Sequence, residues 1–264
     1  MIVNPFGGVF SQVWSSPSGG NGSGFILLDD NWDSLIHADY SLVGTPDNSV
    51  GNPITDALSV SGPYDWNQPS SGARPVIDNT SFSGGRLSMK FDGATQWFTD
   101  DLTGLAALYA SEDAPFLRHL HMVMLPSGTN TTFAALGSDT NTTYELLRRN
   151  TGGTPTQLKE QGYSGLAEAT GSTYANGSEL VIAQIRHTDQ TFSMWVNGTK
   201  ELNKAAWDAT VSTAFVRAIL GGWVNAGGPT TLSTPAVRSH GYRSAWTGDG
   251  DLEAAALYAE CFGL

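Results

Sequence analysis

Phe192-Ser193-Met194-Trp195-Val196-Asn197-Gly198 decides the fold: an alternating strand that closes on Asn-Gly. That dipeptide tolerates positive φ and turns tightly between two twisted strands. Just upstream, Glu179-Leu180-Val181-Ile182-Ala183-Gln184-Ile185 is a second apolar run, and His187-Thr188-Asp189-Gln190 links the two. Residues 179–196 are therefore predicted to form an antiparallel hairpin. Earlier in the chain, Leu87-Ser88-Met89-Lys90-Phe91-Asp92-Gly93 ends another short strand on Asp-Gly.

The same period of two recurs outward from this hairpin. Leu117, His119, His121 and Val123 point one way and Arg118, Leu120, Met122 and Met124 the other, both sides partly apolar, as in an internal strand. Thr132–Gly137 and Thr143–Arg148 read as a further pair, and 214–222 and 237–244 as strands that return to the sheets. Between residues 44 and 86 the prolines at 46, 53, 63, 69 and 75 stand too close for long strands and predict loops with short strand pieces. One strong helix pattern follows at the end. Asp249 and Asp251 suit its N-terminal dipole, and Leu252, Ala255, Ala256, Ala259 and Phe262 form an apolar stripe at helical spacing.

Composition agrees with many strands joined by tight turns: among 264 residues, 31 are glycine and 12 proline, and only 14% are charged. The formal net charge of -12 gives a surface that repels phosphate backbones, so nucleic acid is excluded as a partner. No apolar run approaches the length of a membrane span. Cys261 is the one cysteine, which excludes an intrachain disulfide and reads as a small buried hydrophobe.

Residues 34–264 read as one sandwich. Residues 1–33 read as an N-terminal arm or docking segment, in which Phe6, Phe10 and Trp14 flank a Gly/Ser tract and need a neighbouring subunit to bury them. An ordinary first strand with a long loop is the equal alternative, because Phe25-Ile26-Leu27-Leu28 is itself an apolar run.

The order of the Asp-Gly strand, the Asn-Gly hairpin and the helical tail resembles the concanavalin-A-like, laminin-G-type jelly-roll family. Asp65-Trp66-Asn67-Gln68-Pro69, Ala73-Arg74-Pro75-Val76, Gly84-Gly85 and Phe91-Asp92-Gly93 resemble a stretch of its bacterial and bacteriophage members. The resemblance implies an all-β fold, a sandwich of two antiparallel sheets with a short C-terminal helix. It also implies glycan recognition or an outward-facing structural role.

Glycosidases of this fold resemble one another in a strand bearing Glu-x-Asp-x-Glu, which presents two carboxylates to one cleft. No strand here carries it. Its nearest spelling, Asp249-Gly250-Asp251-Leu252-Glu253, opens the helix, so no catalytic residue is expected. Sugar binding needs aromatic faces beside amides and carboxylates, which points to Asp65, Trp66 and Asn67 and to Trp223 and Asn225 as ligand-binding residues. Trp195, flanked by apolar strand residues, is read as structural. His119 and His121 share a strand face but lack a third ligand, and the pairs Asp139 with Asn141 and Asp92 with Asn197 suit turns, so neither metal nor cofactor is expected.

The N-terminus shows no positively charged region followed by a long apolar stretch. Together with the fold and the sticky arm, this leads to the expectation of a non-enzymatic structural protein of a tailed bacteriophage particle, a capsid decoration or tail appendage. Its expected partners are other virion proteins, copies of itself and surface glycans. A stand-alone carbohydrate-binding module is the alternative, and a divergent glycoside hydrolase the second.

Overall fold

The computed structural model describes residues 31–100, 104–109, 114–126, 131–137, 144–150, 156–161, 168–189, 191–206, 215, 217–225, 228–230, 232–244 and 246–264. In chain order the strands are β1 (Ser34–His37), β2 (Leu42–Gly44), β3 (Ile54–Ala57), β4 (Trp66–Asn67), β5 (Val76–Asp78), β6 (Ser88–Lys90), β7 (Phe98–Asp100), β8 (Phe116–Met124), β9 (Thr132–Gly137) and β10 (Tyr144–Asn150). They continue with β11 (Thr156–Gln161), β12 (Glu168–Tyr174), β13 (Glu179–Arg186), β14 (Thr191–Val196), β15 (Thr199–Ala206), β16 (Arg217–Leu220), β17 (Trp223–Asn225), β18 (Gly228–Thr230) and β19 (Pro235–Ser244), and the helix α1 (Gly250–Phe262) closes the order.

These strands build two large antiparallel sheets and a separate two-stranded one, β17–β18. The first runs β15-β14-β13-β8-β19-β6-β5 with β1 beside β19, and the second runs β12-β11-β10-β9-β16-β7-β4-β3-β2. The hairpin predicted over 179–196 is β13–β14, with Ile182 opposite Val196 and Arg186 opposite Phe192. Its neighbour β14–β15 turns through Asn197 and Gly198, whose φ values of 51° and 74° are the positive angles that an Asn-Gly turn supplies. The internal strand read from residue 117 onward is β8, held between β13 and β19 and buried along its whole length.

Between the sheets lies the main apolar core, where Phe116, Leu120, Met122 and Met124 of β8 meet Phe133, Leu136, Phe98 and Trp66 from the second sheet. The alternation that sends those β8 residues inward sends Leu117 outward, into a second cluster with Val181, Ala183, Ile185, Trp195, Trp32 and the helix residues Ala254 and Leu257. The first sheet is thus covered on both faces. Of the segment 1–33, only Asn31, Trp32 and Asp33 are described, so Phe6, Phe10 and Trp14 lie outside the described residues.

α1 begins where expected: Asp249 is its N-cap and accepts from the backbone N–H groups of Asp251 and Leu252. It ends on Gly263 in the left-handed conformation, with Leu264 N–H donating to Ala259 O. The packing face differs from the expected stripe. Ala254 and Leu257 are buried, with Tyr258, Cys261 and Phe262 packed beside them, while Leu252 is 70% exposed. Residues 252–262 are apolar nearly all round, so helical spacing alone permits more than one stripe. The cap at Asp249 and the docking of Gly250 on Trp195 select the stripe that begins at Ala254.

Enclosing the sheet forces polar strand residues to find partners inside it. His119 Nε2 is 2.9 Å from Ser239 Oγ, and His240 Nδ1 is 2.8 Å from His119 O. Burial pushes the His119 imidazole well below its usual pKa and, aided by the Arg118 charge, pushes His240 down to about 3. His37 falls to about 4, through burial first and the Arg238 charge second. Unfolded chains bind protons on these rings from about pH 6.5 downward while the folded protein does not, so this stability is full above that pH and is lost as the pH falls toward the folded values. The melting temperature should therefore drop between pH 7 and pH 5, above the range where carboxylates titrate, and His240→Gln should lessen that drop in pH-resolved calorimetry.

Candidate functional site

Strand alternation separates the first predicted trio. Trp66 points inward and is fully buried, its indole Nε1–H donating to Ser34 Oγ at 2.9 Å, its ring stacked on Tyr242 and edge-on to His240. Asp65 faces solvent and accepts from Ser59 N–H at 2.7 Å, which fixes a turn. Asn67 is half-buried in β4, paired with Asp56 and Thr99. The expected sugar-binding role of Trp66 is corrected to a core role, because no face of its ring reaches solvent.

Trp223 is corrected likewise. It is 6% exposed and packs on Ala135, Ile219 and Trp97. It also lies over Gly137, where a Cβ would stand 1.9 Å from the indole ring. Asn225 ends β17 opposite Gly228.

The other pairs that the sequence offers are engaged separately. His121 Nε2 meets Glu179 Oε1 at 2.8 Å, and Arg86 Nη2 lies 2.7 and 2.8 Å from the two oxygens of Glu179. Asp92 accepts from the backbone N–H groups of Ala94, Thr95 and Gln96, while Asn197 Oδ1 accepts from Val181 N–H. Asp139 and Asn141 lie outside the described residues. Among the described residues no three His, Cys, Asp or Glu side chains converge as metal ligands would.

What the fold does assemble is a cleft of about 470 Å³ on the outer side of the first sheet, between the β13–β14 turn, β15 and the start of α1. The turn is locked first: His187 N–H donates to Thr191 O at 2.8 Å, and Asp189 Oδ1 accepts from Thr191 Oγ1 at 2.6 Å. The β14–β15 pairing then shifts register twice, between Phe192 and Met194 and between Met194 and Trp195. Such bulges bend a strand and re-aim its side chains. Lys204 takes a φ of 47°, an uncommon angle for a side chain of its size, and its backbone N–H donates to Ser193 Oγ at 3.1 Å. Ser193 Oγ also lies 2.9 Å from His187 Nε2, so one hydroxyl joins the bent strand to the imidazole.

Two lysine–aspartate pairs edge the cleft. Lys204 Nζ reaches Asp189 Oδ2 at 2.9 Å. Lys200 Nζ sits 2.9 and 3.0 Å from the two oxygens of Asp251 and 5.1 Å from the centre of the Trp195 ring. Trp195 Nε1–H also donates to Asp251, at 2.7 Å. Gly250 stands where a Cβ would come within 2.6 Å of the Trp195 ring, so the helix can start there only on glycine. Trp195 and Trp246 line the cleft but keep only 3% and 9% of their surface open, so polar edges face a ligand more than ring faces do.

The carboxylates stay ionised. Hydrogen bonds from Thr191 and then Lys204 hold Asp189 down to about 2, and those from Lys200 and Trp195 lower Asp251. A glycosidase acid needs the opposite shift. Burial and the Lys204 charge lower His187, which leaves a neutral imidazole at neutral pH. The wall residues His187, Asp189 and Asp251 read in sequence chiefly as a hairpin link and a helix start. Their convergence depends on the bulges in β15, which no local pattern announces.

No protein-family model matches the chain, and no curated protein sequence does. Among solved structures it is similar to Trypanosoma rangeli sialidase in complex with 2,3-difluorosialic acid, with a TM-score of 0.60 at 14% identity, over 94% of this chain and 35% of that one. The same enzyme in complex with 2,3-difluoro-KDN gives 0.59 at 14% identity, over 94% and 36%. A mutant of it displaying trans-sialidase activity gives 0.52 at 13% identity, over 86% and 32%. The chain thus spans about a third of the sialidases' length, and at this identity the likeness is one of fold. The expectation of a virion structural protein, capsid decoration or tail appendage is corrected by this finding, since these structures, which share the fold across 94% of the chain, are sialidases.

The corrected role of Trp66 is open to measurement. Trp66→Ala should cost about 3–5 kcal/mol of stability in urea unfolding, as removal of a buried aromatic does, whereas Asp65→Ala should cost about 1 kcal/mol or less.

Proposed function

We propose that this β-sandwich is a saccharide-binding module of lectin type, which holds its ligand in the cleft edged by Asp189, Lys204, Lys200 and Asp251 and does not cleave it. The observation that carries this reading is the cleft itself. It gathers ammonium donors, carboxylate acceptors, an imidazole, a hydroxyl and the amide residue Asn203 within one concave surface. Such a set suits a ligand made of hydroxyl groups, each of which donates one hydrogen bond and accepts others. The likeness in fold to sialidases supports a sugar ligand.

The carboxylates support binding without cleavage. Glycosidases of the two-carboxylate kind, from which sialidases with their tyrosine nucleophile depart, need a protonated acid opposite an ionised partner, and hydrogen bonds lower Asp189 and Asp251, the reverse of the shift such an acid needs.

A glycan array probed with the wild-type chain and with Asp189→Asn and Lys204→Ala tests the proposal. Saturable binding to a subset of glycans is expected, weakened about tenfold by either change, or about 1.4 kcal/mol, with no reducing ends released from the bound glycans. Array signals that both variants leave unaltered would remove the cleft from the reading. Hydrolysis lost in Asp189→Asn would make the chain an enzyme.

A further inference from the structure

We infer that the cleft takes a neutral saccharide, engaged through adjacent hydroxyls, in preference to an acidic one. This rests on the saccharide-binding reading above and goes beyond it by naming the class of sugar.

The two lysine charges of the cleft are already matched. Lys204 is held by Asp189, and Lys200 lies between both oxygens of Asp251. Arg186 also borders the cleft, but its Nε and Nη2 donate to the backbone oxygens of Ala114 and Tyr109 and its guanidinium lies 4.7 Å from the centre of the Phe116 ring. A ligand carboxylate would reach an ammonium only by displacing a protein carboxylate or by lying beside one, and like charges so close repel. The formal charge of -12 repels anions at longer range as well.

For a neutral sugar the same pairs are assets. Each pair sets an acceptor edge beside a donor, so of two neighbouring hydroxyls one donates to the carboxylate while the next accepts from the ammonium. Both pairs are open to solvent, with Lys204 and Asp189 exposed by 58% and 49% and Lys200 and Asp251 by 34% and 64%. The two lysines lie four positions apart on β15, and its bulges bring them beside Trp195 and Ser193, about 7 Å apart along β14, a span that one or two linked pyranose rings cover.

Calorimetric titration of the full chain with cellotriose, maltotriose, mannotriose and lactose, and with 3′-sialyllactose and digalacturonate, tests the inference at low and high salt. At least one neutral sugar should bind with an affinity that salt leaves nearly unchanged, and Asp189→Asn or Asp251→Asn should weaken it about tenfold. Tighter binding of sialyllactose or digalacturonate, falling with salt and rising in the Asp→Asn variants, would overturn the neutral class and leave the saccharide-binding reading standing. Absence of heat with every sugar from a protein with intact circular dichroism would overturn both. Asp189 lies in an exposed turn, so Asp189→Asn keeps the test decisive even if Asp251→Asn, which alters a Trp195 contact, fails to fold.

Discussion

Burial of the first sheet on both faces is the constraint from which the rest of the architecture follows. A sheet with one wet face can place polar residues outward without consequence, but β8, β13 and β19 have core on one side and Trp32 with α1 on the other. Every polar side chain on them must then be answered within the protein. Arg118 is answered by Gln184 and Tyr242, His119 by Ser239, and His121 by Glu179. These pairs join neighbouring strands at fixed positions, and a slip of one residue in register would break them together with the apolar alternation.

The cleft arises where that double cover runs out. Near the end of β13 the outer layer changes from apolar packing to Trp195, Trp246 and the N-terminus of α1, and the bulged β15 turns its lysines toward the carboxylates of the turn and the helix. Asp251 serves the fold and the cleft at once, since it receives the Trp195 N–H and holds Lys200. A helix added for cover thus also furnishes one wall of the site.

Much of the sandwich was legible in the sequence because it rests on local rules. The period of two in β8, the hairpin over 179–196, the Asn-Gly turn and the cap at Asp249 are each written in adjacent residues. The site was less legible for a physical reason. A tryptophan beside an aspartate and an asparagine in a proline-bounded segment has the composition of a sugar site, yet two residues of strand suffice to turn Trp66 inward and its neighbours outward. The helix face was ambiguous because apolar residues surround most of α1, and only its tertiary contacts chose Ala254 and Leu257. His187, Asp189, Lys204 and Asp251 come together through a kinked strand pairing, which has no signature in spacing.

The bent backbone of β15 has a second consequence, for self-association. Among the described residues β15 is the outermost strand of the first sheet, and a strand edge left unpaired invites the strand of another molecule. Two register shifts, a left-handed residue at Lys204 and two lysine side chains interrupt that edge. An incoming strand would meet misaligned amides and two ion-paired lysine side chains where it needs a straight ladder, so the distortion that shapes the cleft also keeps this sheet from growing into its neighbour.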